Sequence, residues 1–238
     1  MKINKQSNLY TVIYVTLLVA IVGTGLAFTT MGLRGRQQAN ENAEKMRQIL
    51  SSVRITSPKN ELALTFEKVV TGQLVVNVSG DSIGNDAFDI SIKEENRKKI
   101  EDRELPVYVA TIDGSRKYII PVYGSGLWGP IWGYVSFNSD GSTIYGAYFD
   151  HEGETPGLGA EIEKPQFSNQ FREKTMIKNG KFLPVNVLKK GLKPQAGEDY
   201  VDAVTGGTIT SKGVAAMLDN GLSQYKEYLI KLSQSNKE

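Results

Sequence analysis

The sequence predicts an α+β protein in which a single N-terminal transmembrane helix precedes a mixed, largely antiparallel domain. Three observations predict it. Leu9 to Met31 carries no charge; four strand-like segments between 106 and 150 are separated by tight polar turns; and apolar residues recur at three- and four-residue steps after Thr210.

The span comes first. "LYTVIYVTLLVAIVGTGLAFTTM" (9–31) is long enough to cross a bilayer, which takes roughly 20 apolar residues. "GLA" at 25–27 is a weak signal-peptidase site, but the run exceeds the h-region of about 7–15 residues, so an uncleaved anchor is favoured. Lys2 and Lys5 before it and Arg34 and Arg36 after it leave its orientation undecided by charge.

Residues 1–8 read as a tail, 9–31 as the span, 32–57 as a juxtamembrane helix and linker ending at Pro58, and 58–238 as the domain. Ala43, Met46, Ile49 and Leu50 have helical spacing in the linker. "ELALTFEKVV" reads as helix and "QLVVNVS" (73–79) as strand, while 82–105 is a polar connection. Strands follow at 106–112, 117–124, 131–138 and 143–150, with turns at Asp113–Gly114–Ser115 and Asp140–Gly141–Ser142. A short helix is expected at 166–173, and short strands at "TMIK" and "FLPVNVLKK". Val214, Met217, Leu218, Leu222, Tyr225, Leu229 and Leu232 then mark one long amphipathic helix.

Composition excludes several chemistries. Zero cysteines remove disulfides, thiolate metal sites, iron–sulfur clusters and Cys nucleophiles, and His151 alone cannot build a multi-histidine metal centre. Redox chemistry here needs a borrowed organic cofactor. A net charge of +2 without a basic, aromatic-interleaved cluster gives no support for nucleic-acid binding.

Three glycine-rich stretches remain. "YGSGLWGPIWGYV" (123–135) reads either as close backbone approach to something flat or as a turn with two core tryptophans; Trp128 leans to the core. "HEGETPGLGAEI" (151–162) holds a Pro156–Gly157 turn that presents Glu154 and Thr155, or is simply a polar loop; no nucleophile elbow supports a hydrolase built on His151. "DAVTGGTITSKG" (202–213) fails as a phosphate loop because Ser211 precedes Lys212, and adjacent Ser and Lys on a helix do not face each other. What stands is a Gly206–Gly207 turn and a helix capped by Thr210 or Ser211, whose free N–H groups suit an anion or cap nothing further.

In this order, the three stretches behind one span resemble the C subunit of the sodium-translocating NADH:quinone reductases, a family whose FMN-binding domain is shared with the G subunit of the Rnf complex. The family's attachment signature is Asp, two free positions, Ser or Thr, then Gly-Ala-Thr; "DAVTGGT" meets it at Asp202, Thr205, Gly206 and Thr208, departing at Gly207 where Ala is usual. "ETPGLG" (154–159) and "GLWGPIWGY" (126–134) match too, the latter pointing to the reductase family over the Rnf one.

The resemblance implies FMN joined by a phosphoester to Thr208 and installed by a separate flavin transferase, since a Thr hydroxyl without a base is a poor nucleophile. It implies an electron-relay subunit on the periplasmic face of the cytoplasmic (inner) membrane, with other subunits oxidising NADH, reducing quinone and exporting sodium. Thr205 and Thr210 are then candidate phosphate donors, with Gly206 and Gly207 forming the turn. Asp202 serves recognition during flavinylation; Glu154, Thr155 and Leu158 line the isoalloxazine ring; and Gly157 and Gly159 allow its close approach. A Rnf-type carrier and a cofactor-free membrane-anchored scaffold are the rival readings.

Overall fold

A computed structural model describes residues 7–194 and 197–235, so nearly all of the expected tail, with Lys2 and Lys5, lies outside the described residues. The chain divides into two compact units, Met1–Lys45 and Met46–Glu238.

The first unit belongs to α1 (Asn8–Ser52), an unbroken helix whose apolar run is long enough to cross a membrane. Two of its hydroxyls bond locally: those of Thr29 and Thr30 donate to the carbonyls of Gly25 and Leu26, the kind of bond that suits a helix in hydrocarbon.

The expected linker is different from its sequence reading. From Met46 onward α1 belongs to the domain, with Ile49, Leu50 and Val53 buried in it. Ser136 Oγ donates to the Ser52 carbonyl at 2.7 Å, and Trp132 Nε1 donates to Gln48 Oε1 at 3.2 Å. The helix ends in a Schellman motif: Ile55 N–H donates to Leu50 O and Arg54 N–H to Ser51 O, with Arg54 left-handed at φ 63°. Pro58 follows that ending by a few residues, which is why it reads as the boundary.

After α2 (Leu62–Val69), the domain is built on a six-stranded sheet: β1 (Val70–Val76), β2 (Ser82–Gly84), β3 (Leu105–Ile112), β4 (Ser115–Ser125), β5 (Pro130–Phe137) and β6 (Ile144–His151). The spatial order is β2-β1-β3-β4-β5-β6, and every neighbouring pair is antiparallel. The β3–β4 hairpin closes with Asp113 at φ 48° and Gly114 at φ 75°, the double left-handed turn that an Asp-Gly pair favours. Between β5 and β6, Asp140 Oδ1 accepts the N–H groups of Ser142 and Thr143, an Asx turn. The connection from β2 to β3 carries one short helix, α3 (Ile92–Glu95), and a 3₁₀ turn at Ile100–Asp102.

Beyond β6 come a 3₁₀ turn (Gly159–Glu163), α4 (Pro165–Ser168) and a second 3₁₀ turn (Asn169–Phe171). Phe167 and Phe171 pack on Phe149 with ring centroids 5.7 and 5.1 Å away, fixing these turns to the sheet. A small hairpin, β7 (Ile177–Lys178) and β8 (Lys181–Phe182), precedes β9 (Asn186–Leu188), which pairs in parallel with β10 (Tyr200–Asp202). β10 delivers the chain into α5 (Thr208–Ser223), whose Val214, Met217, Leu218 and Leu222 are buried against the sheet.

The single long C-terminal helix expected from periodicity is two helices, α5 and α6 (Lys226–Ser235). Tyr225 at the break is buried and its hydroxyl donates to the Pro106 carbonyl, while Gln224 accepts from Arg103; these tertiary bonds outweigh helix continuity. Leu222, Tyr225 and Leu229 keep helical spacing across the break, so periodicity cannot show it.

Candidate functional site

The site forms where three connections meet: the β4–β5 loop, the loop after β6, and the first turn of α5. Leu127, Trp128, Glu154, Thr155, Leu158, Gly159, Gly206, Gly207, Thr208, Ile209 and Thr210 line one cleft of about 360 Å³, within the range of small-ligand sites. Its exposed walls are apolar: Leu127, Trp128, Leu158 and Ile209 are 47%, 68%, 44% and 56% accessible. Four large apolar side chains held open to water around one cleft suit a flat aromatic ligand.

Glu154 ties the three connections together. It is 4% exposed; its Oε1 accepts the Trp128 N–H at 2.9 Å and its Oε2 accepts the Thr210 hydroxyl at 2.6 Å. Gly126 and Gly159 sit on either side of the carboxylate, and a Cβ on either would run into one of its oxygens. Burial pushes this carboxyl up, but the Thr210 hydroxyl and the Trp128 and Leu127 N–H groups, with His151 nearby, hold it below the ordinary range. Glu154 is therefore an ionised, buried clamp. His151 supports it, its Nδ1 accepting the Glu154 N–H at 3.2 Å.

The turn into α5 follows from its residues. Gly207 N–H donates to Val204 O at 3.1 Å with Gly206 at φ 77°, the positive φ that a type II turn needs at its third residue. Gly207 is the N-cap without a side-chain cap, which corrects the expected capping by Thr210 or Ser211. Thr210 is occupied by Glu154, and Ser211 Oγ accepts the Val204 N–H at 3.0 Å, bracing the turn instead. At Gly207 an Ala Cβ would come within 3.1 Å of Val204 Cγ1 and 3.2 Å of Leu158 O, so here the turn is packed closely around glycine.

The predicted residues separate into two groups. Thr208, Gly206, Gly207, Thr210, Glu154, Thr155, Leu158 and Gly159 share the first cleft. Asp202, Thr205 and Gly157 line a second, wider groove across the turn, with Lys164, Phe167 and Gln170. The chain reversal at 204–207 causes this, turning Thr205 away from the side that Thr208 faces. Thr205 thus lines the second groove and not the cleft that Thr208 borders, and the Thr210 hydroxyl is spent on Glu154. Backbone N–H groups at Thr208, Ile209 and Thr210, which begin the helix and lack intrahelical acceptors, are the anion donors that remain.

Three cleft residues, Leu127, Trp128 and Ile209, were not legible as such. Ile209 is an apolar side chain off the buried face of α5, a signal of apolar contact elsewhere. Trp128 is exposed, correcting its expected place in the core: it sits in the β4–β5 loop, and only its backbone N–H is used, by Glu154. Trp128→Ala will accordingly change stability by no more than about 0.5 kcal/mol, against about 3–5 for a core tryptophan; a melting curve separates the two.

The cleft fits FMN: apolar walls for the ring, free N–H groups for the phosphate, and the exposed Thr208 hydroxyl between them. The antiparallel sheet crossed by a helix opens on such a cleft, and residues 126–223 match the FMN-binding domain family. The C subunit of the Na(+)-translocating NADH-quinone reductase of Yersinia pestis is 31% identical over 233 residues, covering 89% of this chain and 87% of the relative. The chain belongs to that family of reductase C subunits. The Vibrio vulnificus protein of the same name is 30% identical over 231 residues, covering 90% and 89%. Among solved structures, the C subunit of the Parabacteroides distasonis reductase has 46% identity and a TM-score of 0.78, covering 83% of this chain and 96% of that one. Shewanella oneidensis NqrC has 27% identity and a TM-score of 0.68, covering 82% and 99%.

Proposed function

We propose that this chain is the electron-carrying C subunit of a Na(+)-translocating NADH-quinone reductase, with FMN joined through a phosphoester to Thr208 Oγ. The observation that carries the reading is the placement of Thr208: exposed, first in α5, and bordering the apolar cleft. The free N–H groups of the first turn would hold the phosphate, where the helix dipole stabilises an anion by about 0.3–1 kcal/mol. FMN supplies one- and two-electron carriage. The chain's own residues would hold and orient it: Leu127, Trp128, Leu158 and Ile209 would cover the ring, and Glu154 fixes the loops that carry Leu127, Trp128 and Leu158 and the first turn that carries Ile209.

No general base adjoins Thr208, because the nearby carboxylate of Glu154 is engaged by Thr210 and backbone donors. A separate flavin transferase therefore makes the bond, and the groove lined by Asp202, Thr205 and Gly157 is the face it would read. We assign α1 as the anchor in the cytoplasmic membrane, with the domain on the periplasmic side, and other subunits as the electron donor, the acceptor and the sodium path. Covalent attachment suits that location, since dissociated FMN would be lost there.

The test uses the full chain coexpressed with a flavin transferase and purified in detergent. Peptide mass spectrometry is expected to place one FMN on the peptide containing Thr208. Folded protein without flavin, or flavin on another residue, overturns the reading.

A further inference from the structure

The domain carries a second built feature, and no residue that lines it also lines the flavin cleft. A pocket of about 330 Å³ opens between the end of α1, β6 and α4, and three arginines line it: Arg47, Arg54 and Arg172. Ser168 and Asn169 add donors, and the one acid, Glu163, is already held by Lys164. Arg47 Nη2 donates to the Tyr148 hydroxyl at 2.9 Å. Arg54 lies over the Tyr145 ring with Cζ 3.8 Å from its centroid, and Lys117 Nζ lies 4.4 Å from the same centroid. Among the described residues no carboxylate pairs with Arg54, Lys117 or Arg172. Two cations share one aromatic ring without a counter-ion, an arrangement that disfavours itself until an anion arrives.

The backbone points the same way. Four non-glycine residues among those described have positive φ: Arg54, Asp113, Glu173 and Asn179. Asp and Asn accept this region readily; long side chains do not. The two long ones are Arg54, which lines the pocket, and Glu173, which follows Arg172 in the chain. At the helix-ending position of Arg54 glycine is the usual residue. An arginine there sacrifices backbone ease to hold a guanidinium at the pocket.

We propose that this pocket docks an acidic side chain from a neighbouring subunit. Arginine forks match a carboxylate in two-point geometry. All three arginines are exposed, so a small free anion would bind them through water and salt screening, and weakly. A partner that covers the pocket excludes that water and strengthens the pairing. The chain belongs to a family of complex subunits, which places other subunits within reach. This inference rests on membership of a complex and not on the chemistry of Thr208.

The test uses the full chain expressed with the other subunits, solubilised in detergent, and scored by co-elution as NaCl is raised. Arg54→Glu with Arg172→Glu is expected to lower co-elution about tenfold at about 0.15 M NaCl, with the wild type losing its hold only at higher salt. Arg54→Gly separates docking from folding: its melting temperature is expected to stay level or rise while co-elution falls. A compensating Asp or Glu to Lys change in another subunit that restores the double variant would identify the partner residue. Unchanged co-elution of the charge-reversed chain overturns the proposal, as does an Arg54→Gly chain that loses its fold along with its partners. Inorganic phosphate that raises the melting temperature of the wild type but not of the double variant, with co-elution unaffected, would reassign the pocket to a free oxyanion. Flavin content, read separately on a denaturing gel, reports on the Thr208 reading alone.

Discussion

Thr208→Ala yields a folded chain with no covalent flavin. Thr208 is exposed, occupies the first position of α5, and its side chain makes no hydrogen bond among the described residues. Alanine is the best helix former, so the substitution changes stability by no more than about 0.5 kcal/mol. On the proposed assignment the effect on flavin is all-or-none, because alanine has no hydroxyl to carry the phosphoester. Thr208→Ser keeps a hydroxyl at the same place and retains the flavin. Thr205→Ala retains it too, since Thr205 lies across the turn in the second groove; a transferase that reads that face would attach flavin more slowly to this variant. In-gel fluorescence beside a melting curve reads all three. A fluorescent Thr208→Ala chain refutes the assignment.

The contrast between Thr205 and Thr208 shows what a sequence can and cannot convey. The strands were legible because alternating burial and Asp-Gly turns are local facts: the segments expected at 106–112, 117–124, 131–138 and 143–150 appear as β3 to β6 within two residues at each end. The start of α5 was legible because Gly-Gly before an apolar-periodic stretch is also local. Which side of the turn each hydroxyl faces depends on φ at Gly206, and that is not a property of residue type alone. The Glu154–Thr210 bond joins residues 56 apart, and the arginine pocket brings Arg47 and Arg54 at the end of α1 together with Arg172 beyond α4. No motif spacing encodes such meetings. The domain start was missed for a related reason: Ile49 and Leu50 look alike on a juxtamembrane helix and in a core, and only the sheet beneath them decides.

Glu154→Ala is the most destabilising single change expected at the site. It strands the buried Thr210 hydroxyl and removes the acceptor shared by the N–H groups of Trp128 and Leu127. Unsatisfied buried donors of this kind cost about 3 kcal/mol together, or roughly 6–12 °C in melting temperature for a domain this size. Glu154→Gln keeps the shape and one acceptor oxygen and loses less. The two variants also differ in pH response from the wild type. The folded-state pKa of Glu154 lies below its ordinary value of 4.5, so between the two values the unfolded chain binds more protons than the folded one. The stabilisation is therefore complete above pH 4.5 and is lost as pH falls through the folded pKa. Melting curves from neutral to acid pH should show the wild-type advantage over Glu154→Gln shrinking in that window, and an advantage that stays constant would mean the carboxylate is not the clamp. Because Glu154 joins the Trp128 loop to the first turn of α5, the same loss loosens the cleft walls around an attached flavin. Glu154→Gln loaded with FMN would then keep its fluorescent band on a denaturing gel while its flavin circular dichroism weakens, separating the role of the clamp in holding the ring from the role of Thr208 in holding the phosphate.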